Sequence, residues 1–535
     1  MDFTRRRFLI GGAAFGAFAG NCFAAADAFG VTLPSEAPRL RFGVLSDLHI
    51  VTPGMIDHRK DPVEDVEFRC GVETFKSALE WYRAQGVDAV VIAGDMTDQG
   101  IDLELMAVAD AWRAVFPDDK LPDGRRVEKI FVTGNHDVHR PAVWANLYPD
   151  KTERKRHVLR SGLRAWWNRA FRERYEPIFS KTVNGCTFIG SHWDTNLPKG
   201  KYMYARIEDW LAANGRTLDP ALPFFYVQHP HLKNTCYGPW AWGHDRGAAT
   251  KALSAWPNAI AFSGHSHYTL ADERTIWQGA FTSVGAGSLA YTGLPVEEHA
   301  PAGCENSAFE PGKNGWRLGA AKLLPRLGCA DCRQGMLWSV YGDRIVVRRR
   351  DFFGGMDVGC EWVMPLPCAE PRPFAFAEHA KRLRPPQFPE GAELAVSRVK
   401  AKTRGGGTRH PEVASAEKDA LEVVAPAVVP DEKARLFKVE FTARTSDGRE
   451  RTKLVLPEGF NQSVRHEKAR RPVVCRFALD ELGAGEVRLS ATPLDCFNRR
   501  GRPLYASAAF ASDRGLSAAD VKCETEPRGE RERNR

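Results

Sequence analysis

Residues 130–137 read IFVTGNHD, an apolar, β-branched run that stops at glycine and three polar residues. A short run of this kind is typical of a strand buried on both faces. The chain repeats the construction four more times, in FGVLSDLH at 42–49, AVVIAGDMTD at 89–98, FFYVQHPH at 224–231 and IAFSGHSH at 260–267. We therefore predict five strands that each end in Asp, Asn or His side chains.

Two segments between the first three of these strands have helical periodicity. Within residues 68–84, Val72, Phe75, Leu79 and Tyr82 fall on one helical face, and residues 103–116 show the same pattern. Strands that alternate with helices predict an α/β fold with a largely parallel sheet. In such sheets the polar site lies outside the carboxyl ends of the strands. We expect the five polar clusters to meet there in one pocket.

The residue types in these clusters indicate a metal site. Carboxylate, amide and imidazole ligands without cysteine suit hard to borderline divalent ions, and Mn, Fe, Zn, Ni and Mg all tolerate them. Seven such residues are too many for one tetrahedral ion and suit two ions that share a bridging ligand. Two ions about 3.5–4 Å apart can clamp the attacking and leaving oxygens of a phosphoryl displacement.

The five motifs resemble the calcineurin-like metallophosphoesterase superfamily, whose pattern is D-x-H, GD-x-x-D, GNH-D/E, H and GH-x-H. The resemblance covers residues 39–370. It implies an αββα sandwich of two packed sheets flanked by helices. It also implies a hydrolase that cleaves phosphate mono- or diesters by means of two divalent metal ions and a hydroxide that bridges them.

The resemblance also implies a role for each motif residue. Asp95 would bridge two ligand sets, which are Asp47, His49 and His267 for one ion and Asn135, His229 and His265 for the other. His136 would steady the phosphoryl group or protonate the leaving oxygen. Asp137 would orient the His136 imidazole, and Asp98 would support a ligand histidine.

Two further histidines follow apolar runs and have to be weighed against these ligands. His231 lies two residues after His229, but His229 terminates the strand directly and precedes Pro230. We therefore expect His229 to be the ligand and His231 to line the pocket. His192 follows the apolar run at 187–190, and we expect it to be a structural residue at the pocket edge.

The segments around the motifs give coarser predictions. Glycine and proline predict a loop at 237–244, whose aromatic residues form either a wall for an organic leaving group or a hydrophobic cap. The basic segment 140–178 predicts an amphipathic cover helix with Trp166, Trp167 and Phe171 on its apolar side, in preference to a nucleic-acid surface. A hairpin of residues 336–341 and 344–347 is expected to complete the second sheet.

The remainder of the chain has the alternating pattern of an all-β region. Strand-like segments at 437–443, 453–456, 473–479 and 486–491 predict a β-sandwich domain over residues 385–511, of immunoglobulin or fibronectin III type. A glycine-rich loop or linker is predicted at 403–418. The charged tail at 512–535 is predicted to be disordered.

The first 28 residues predict export. Arg5 and Arg6 precede an apolar stretch and an Ala26-Asp27-Ala28 cleavage sequence, which together resemble a bacterial twin-arginine signal peptide. We expect a periplasmic or otherwise exported protein. Removal of Cys22 with the signal leaves eleven of the twelve cysteines, and Cys329 and Cys332 form either a short-loop disulfide or two thiols.

Composition limits the remaining function classes. The chain has 535 residues, 43% hydrophobic and 27% charged, with a net charge of +8, which is ordinary globular composition. We expect a metal-dependent phosphoesterase with a small phosphorylated substrate, no nucleic-acid partner and no stable membrane insertion after signal cleavage. The alternatives are a phosphodiesterase or nucleotide pyrophosphatase on the same site, or a cell-surface binding protein with a vestigial metal domain. Substrate, metal identity and oligomeric state stay open.

Overall fold

The structure is a computed structural model. It describes residues 37–51, 71–98, 100–139, 159–194, 202–237, 239–292, 332–368, 370–402, 417–431, 433–434, 436–457, 471–483, 485–510 and 521–524. The predicted signal peptide, Cys329 and residues 403–416 of the predicted linker lie outside these ranges. The described elements belong to one compact unit, residues 39–535.

Strands and helices alternate in the first half of this unit, and strands dominate the second half. The strands are β1 Leu40–Leu45, β2 Ala89–Ala93, β3 Glu128–Val132, β4 Ile178–Val183, β5 Cys186–Ser191, β6 Phe224–Val227, β7 Ala259–Ser263, β8 Ile276–Gln278, β9 Thr282–Gly285, β10 Gln334–Val340, β11 Arg344–Asp351, β12 Met356–Asp357, β13 Trp362–Pro365, β14 Ala395–Lys402, β15 Glu417–Ala425, β16 Phe437–Thr445, β17 Glu450–Val455, β18 Val473–Ala478, β19 Gly485–Asp495, β20 Leu504–Phe510 and β21 Val521–Glu524.

The helices are α1 Val72–Gln85, α2 Asp102–Val115, α3 His136–His139, α4 Leu159–Phe171, α5 Arg206–Asn214, α6 Pro239–Asp245, α7 Ala248–Leu253, α8 Phe376–Lys381 and α9 Leu479–Leu482. In the described part of the chain, no helix combines the length and the apolar character that crossing a membrane requires.

The five predicted strands divide between two sheets. The first sheet has the order β12-β11-β10-β1-β2-β3, with β13 beside β11, and β1, β2 and β3 run parallel. The second has the order β4-β5-β6-β7-β9-β8 and contains the fourth and fifth predicted strands as β6 and β7, again parallel. The sequence predicts the five polar clusters at the strand ends of one largely parallel sheet. In the structure they follow parallel strands of two sheets.

The two sheets pack face to face, and helices cover their outer sides. The Phe42 ring of β1 lies 5.2 Å from that of Phe188 in β5 and 4.8 Å from that of Phe225 in β6, measured between ring centroids. Residues of α1, α2 and α4 share a buried cluster with the first sheet, and residues of α5 and α7 share one with the second. This α/β arrangement is the layered sandwich that the resemblance implied.

The three helix predictions are confirmed, and one loop prediction is wrong. Helices α1 and α2 match the predicted periodic segments, and α4 covers the first sheet with Trp167 and Phe171 buried. The prediction of a loop at 237–244 is wrong, because α6 occupies Pro239–Asp245. Proline suits a first helical position, where its missing N–H costs no hydrogen bond. The rule that proline marks a loop therefore fails here.

The hairpin of β10 and β11 lies in the first sheet, so the prediction that it completes the second is wrong. Strand β10 pairs antiparallel with β1, with Leu40 opposite Val340 and Val44 opposite Met336. The alternation of buried and half-buried residues in β11 specifies a strand with one covered face. It does not specify which of two sheets the strand joins.

The C-terminal region contains two further antiparallel sheets, with the orders β14-β15-β18 and β17-β16-β19-β20-β21. Residues from both sheets, such as Val423 and Phe441, share one buried cluster. This agrees with an all-β domain, and its immunoglobulin or fibronectin III type stays a prediction. The predicted disorder of 512–535 is wrong for Val521–Glu524, which pair with β20.

A buried ionic cluster joins the segment between β7 and β8 of the second sheet to the first sheet. Glu273 accepts from Arg349 of β11 at 2.6 Å and from the Trp362 indole at 2.8 Å, and it lies 3.2 Å from His379. The His379 ring also packs against Phe497 of the C-terminal region, with ring centroids 5.5 Å apart. The cluster therefore connects the two-sheet sandwich to the β-rich C-terminal region.

Candidate metal centre

All seven candidate ligands follow the carboxyl ends of strands and converge between the two sheets. Four of them follow strands of the first sheet and three follow strands of the second. They are Asp47 and His49 after β1, Asp95 after β2, Asn135 after β3, His229 after β6, and His265 and His267 after β7.

One half of the centre consists of Asp47, His49 and His267. The Nε2 atom of His267 lies 3.2 Å from Asp47 Oδ1 and 3.1 Å from His49 Nε2. The latter atom is 3.9 Å from Asp47 Oδ1. The three side chains are buried and their facing atoms are close enough to contact one ion.

The other half consists of Asn135, His229 and His265. The Nε2 atom of His229 lies 3.1 Å from Asn135 Oδ1 and 3.2 Å from His265 Nδ1. The backbone N–H of His265 also donates to both carboxylate oxygens of Asp47, at 3.1 and 3.0 Å, which connects the two halves.

Asp95 lies between the two halves. Its Oδ2 atom is 3.0 Å from His229 Nε2 and 3.8 Å from His49 Nε2. Its Oδ1 atom accepts the backbone N–H of His136 at 2.8 Å. One carboxylate therefore faces both ligand sets, which is the position that a bridging ligand requires.

The outward nitrogens of three candidate ligands have partners that fix the ring orientation. His229 Nδ1 donates to the Ala93 carbonyl at 2.8 Å, and His267 Nδ1 donates to the Tyr291 carbonyl at 3.0 Å. His49 Nδ1 lies 3.2 Å from the Asp98 carboxylate, as predicted for Asp98. A neutral imidazole with one N–H committed outward presents a lone pair inward.

The inward-facing atoms are therefore imidazole nitrogens and carboxylate and amide oxygens that carry lone pairs. Neighbouring atoms of this set lie only about 3 Å apart. Acceptor atoms at this distance repel one another unless a cation or protons occupy the space between them. The residues present thus fit divalent metal ions, and no cysteine takes part.

The pKa values of Asp95 and His229 also indicate that the centre favours positive charge. Burial alone would raise the pKa of Asp95, but the nearby charges of His229 and His136 hold it well below its usual range. Burial would lower the pKa of His229, yet Asp95 raises it to about 9. The field of the carboxylates therefore favours a cation beside His229.

The backbone at the centre is strained. Left-handed φ angles occur at Asp47 (51°), His49 (45°), Asp95 (48°), His265 (70°) and His267 (55°). For residues with a Cβ such conformations cost about 1–3 kcal/mol each and persist only where the surroundings enforce them. The left-handed backbone directs these side chains away from the strand direction and into the pocket.

Two motif glycines are required by close approach. A Cβ at Gly134 would overlap the Asp95 carboxylate, and one at Gly264 would overlap Ser46 Oγ and lie 2.5 Å from Asp47 Oδ2. A side chain at either position would displace a candidate ligand.

His136 and Asp137 differ in part from the expected arrangement. The His136 ring lies 4.4 Å from the His49 ring, between centroids, so it borders the centre. Its Nδ1 faces the Asp98 carbonyl at 3.0 Å. The expectation that Asp137 orients this imidazole does not match the structure. Asp137 instead accepts from Thr97 N, Thr97 Oγ1 and Gly134 N, at 2.9, 2.7 and 2.8 Å.

The two histidines weighed against the ligands lie outside the ligand set. His231 is buried between Ser263 and Ser266, behind the centre rather than on the pocket surface. His192 is buried, accepts the Thr133 backbone N–H at 3.0 Å, and has its pKa lowered by burial to about 3. It is the structural residue that the sequence predicted.

Two residues at the centre were missed by the sequence analysis. The exposed His244 of α6 has its ring 4.7 Å from the His265 ring, and the Tyr291 ring is 4.3 Å from that of His267, both between centroids. Neither follows one of the five predicted strands, so the strand-end pattern gave no signal for them. Tyr237, which precedes α6, stacks on Tyr268 and on Arg274.

Residues 40–268 match the family model described as calcineurin-like phosphoesterase. The match supports placing this part of the chain in the calcineurin-like phosphoesterase superfamily. Together with the ligand clusters it supports a metal-dependent phosphoesterase, a hydrolase of phosphate esters. No curated protein matches the sequence.

The chain is also similar to several solved structures. A dimetal phosphatase from Danio rerio is 12% identical, with 61% of this chain and 98% of that chain covered and a TM-score of 0.34. A purple acid phosphatase from yellow lupin (Lupinus luteus) seeds is 14% identical, with 61% and 53% covered and a TM-score of 0.38. Vps29 from Entamoeba histolytica, complexed with zinc, is 11% identical, with 61% and 99% covered and a TM-score of 0.24.

Proposed function

We propose that this protein hydrolyses phosphate esters at a centre of two divalent metal ions held by the seven candidate ligands. The observation that carries the proposal is the position of Asp95 Oδ2, 3.0 Å from His229 and 3.8 Å from His49. A shared carboxylate between two acceptor sets serves two ions better than one.

Each residue at the centre has one proposed role. Asp47, His49 and His267 would hold one ion, Asn135, His229 and His265 would hold the other, and Asp95 would serve both. Bound ions of this kind polarise phosphoryl oxygens and lower the pKa of water. His136 borders the centre, with a nitrogen close enough to His49 and Asp95 to share an ion with them, and its Nδ1 faces the Asp98 carbonyl. We assign His136 to the substrate rather than to an ion. It steadies the phosphoryl group or protonates the leaving oxygen.

Phosphodiesterase or nucleotide pyrophosphatase activity at the same site is the alternative reaction. The ligands stabilise the same displacement for a monoester and a diester, so the distinction depends on the groups at the rim, such as His244 and Tyr291. A vestigial centre in a cell-surface binding protein is disfavoured, because such a centre usually loses ligands and all seven side chains lie together here.

The test is metal analysis of the full-length protein, followed by turnover of a panel of phosphate mono- and diesters. We expect two ions per chain and hydrolysis of at least one ester class. In an Asp95→Asn variant we expect fewer ions and no turnover, because the amide cannot supply the bridging charge. Asp351→Asn is a matched control, since Asp351 is equally buried and accepts backbone N–H groups away from the centre. A wild-type protein without bound metal or turnover contradicts the proposal.

We also propose that the protein is exported through the twin-arginine route, which carries folded proteins and so allows metal loading beforehand. The proposal rests on Arg5, Arg6 and the Ala26-Asp27-Ala28 sequence. Replacement of both arginines by lysine should leave the protein in the cytoplasm, and unchanged export would contradict the route.

A further inference from the structure

A buried imidazole lies behind the candidate metal centre. His231 follows β6, two residues after His229, and only 1% of its surface is exposed. Its Nδ1 is 2.6 Å from Ser263 Oγ and its Nε2 is 2.6 Å from Ser266 Oγ. Both ring nitrogens are therefore engaged within the protein, so this ring is not a ligand for an ion or a substrate.

The contacts of His231 link three segments of the fold. Ser263 Oγ also lies 3.5 Å from the Val284 carbonyl, and Cys236 Sγ lies 3.5 Å from His231 Nδ1. Ser266 Oγ, beside His231 Nε2, accepts the Tyr268 N–H at 3.3 Å. His231 thus connects the end of β7 and β9 with the turn that follows β7.

That turn carries one candidate ligand from each half of the centre. Ser266 stands between His265 and His267, and both histidines have left-handed backbone, with φ of 70° and 55°. The Ser266 N–H donates to the Gly264 carbonyl at 2.8 Å, which makes the turn tight. A conformation of this kind persists only where neighbouring groups hold it.

We propose that His231 is a positioning residue that, through Ser266, fixes the separation of His265 and His267 and thereby the two halves of the centre. The inference rests on the proposed function. Groups that hold metal ligands in place without contacting the ion typically change metal affinity or activity by about 10- to 100-fold when they are removed.

The test compares two substitutions that each remove one buried hydroxyl from the same polar cluster. Ser266→Ala breaks the contact between His231 and the turn. Ser283→Ala is the matched control, since Ser283 is buried and bonds Thr235 Oγ1 at 3.0 Å and Cys236 Sγ at 3.8 Å without touching the turn. The full-length proteins are stripped with a chelator and titrated with Mn²⁺ by calorimetry, and melting temperatures are measured without metal.

We expect both variants to melt at similarly reduced temperatures without metal, and only Ser266→Ala to bind Mn²⁺ about 10- to 100-fold more weakly. His231→Gln, whose amide reaches toward the position of Nε2, should bind Mn²⁺ more tightly than His231→Ala. Wild-type affinity in Ser266→Ala, or equal weakening in Ser283→Ala, would overturn the inference and leave the proposed function intact. A wild-type protein that binds no Mn²⁺ overturns both.

Discussion

Asp137 Oδ1 lies 2.7 Å from Thr97 Oγ1 and 2.9 Å from the Thr97 backbone nitrogen, which ties the third motif to the second. The other carboxylate oxygen accepts the Gly134 N–H at 2.8 Å. Burial and the charge of Asp95 raise the pKa of Asp137 to about 6. Asp137 therefore braces the two loops that carry Asp95 and Asn135, and it does not touch the reacting groups.

Asp137→Asn should therefore lower the stability of the protein and its metal affinity, and any loss of turnover should follow from these two effects. The amide replaces one acceptor by a donor, so a buried N–H of Thr97 or Gly134 loses its partner, at a cost of about 1–3 kcal/mol. We expect a lower melting temperature without metal and weaker Mn²⁺ binding. Asp110→Asn, in an exposed pair with Arg113, should change neither. Full metal binding with reduced turnover would instead restore a catalytic role for Asp137.

His136→Ala should retain two metal ions and lose about 10²–10⁴ in turnover, the usual scale of general acid–base catalysis. The reason is that His136 borders the centre without belonging to either proposed ligand set. If it protonates the leaving oxygen, the loss should shrink for nitrophenyl esters, because good leaving groups need little protonation. An equal loss for good and poor leaving groups indicates that it stabilises phosphoryl charge. Simultaneous loss of metal would make His136 a ligand.

Gly264→Ala should impair metal binding although it changes no ligand. Its new Cβ would overlap Ser46 Oγ and press on the Asp47 carboxylate, and overpacking of this kind typically costs about 1–3 kcal/mol. We expect calorimetry to show weaker Mn²⁺ binding, with the greater effect on the half of the centre that contains Asp47. Gly342→Ala is the control, because no atom lies within 4 Å of a Cβ added there. Equal affinities of the two variants would show that the turn can move aside.

Glu273→Gln should destabilise the protein in a pH-dependent manner. Burial alone would raise the pKa of Glu273, but Arg349 and His379 hold it below its ordinary value. A depressed pKa contributes stability above the unfolded-state pKa of about 4.3, and this contribution is lost as the pH falls through the folded-state value. Removal of the charge leaves Arg349 buried and unpaired, which costs about 3–5 kcal/mol at pH 7.

The measurement for Glu273→Gln is the melting temperature of wild type and variant between pH 7 and pH 3. The difference should be largest at pH 7 and should shrink at the acid end, where the wild-type carboxylate is protonated too. Glu450→Gln, in an exposed pair with Arg444, should show almost no difference at any pH. A difference that stays constant with pH would mean that the Glu273 charge does not stabilise the fold.

The sequence predicts the candidate ligands well because each one depends on local pattern. An apolar run fixes where a strand ends, and parallel strands present those ends on one side, as for Asn135 after β3 and His229 after β6. The left-handed backbone at Asp47 and His265 has no comparable signal, since it is imposed by neighbours that are distant in sequence.

The predictions that failed depend on tertiary placement. The carboxylate of Asp137 could reach several partners, and only the packed structure shows that it bonds Thr97 and Gly134. The apolar pattern of β10 is equally suited to either sheet, and only its pairing with β1 decides between them. His244 belongs to a helix that begins with Pro239, where local rules favour a loop.

The pairing of β1 with β10 has a consequence for how much of the chain forms the smallest folding unit. A fragment that ends at residue 268, where the family match ends, keeps every proposed ligand but lacks β10 and β11. In such a fragment β1 becomes an unprotected edge, and edges of this kind promote association between chains. Because Asp47 and His49 follow β1 directly, their positions depend on strands synthesised some 290 residues later. Nascent chains should therefore acquire the centre only after residue 340 has left the ribosome.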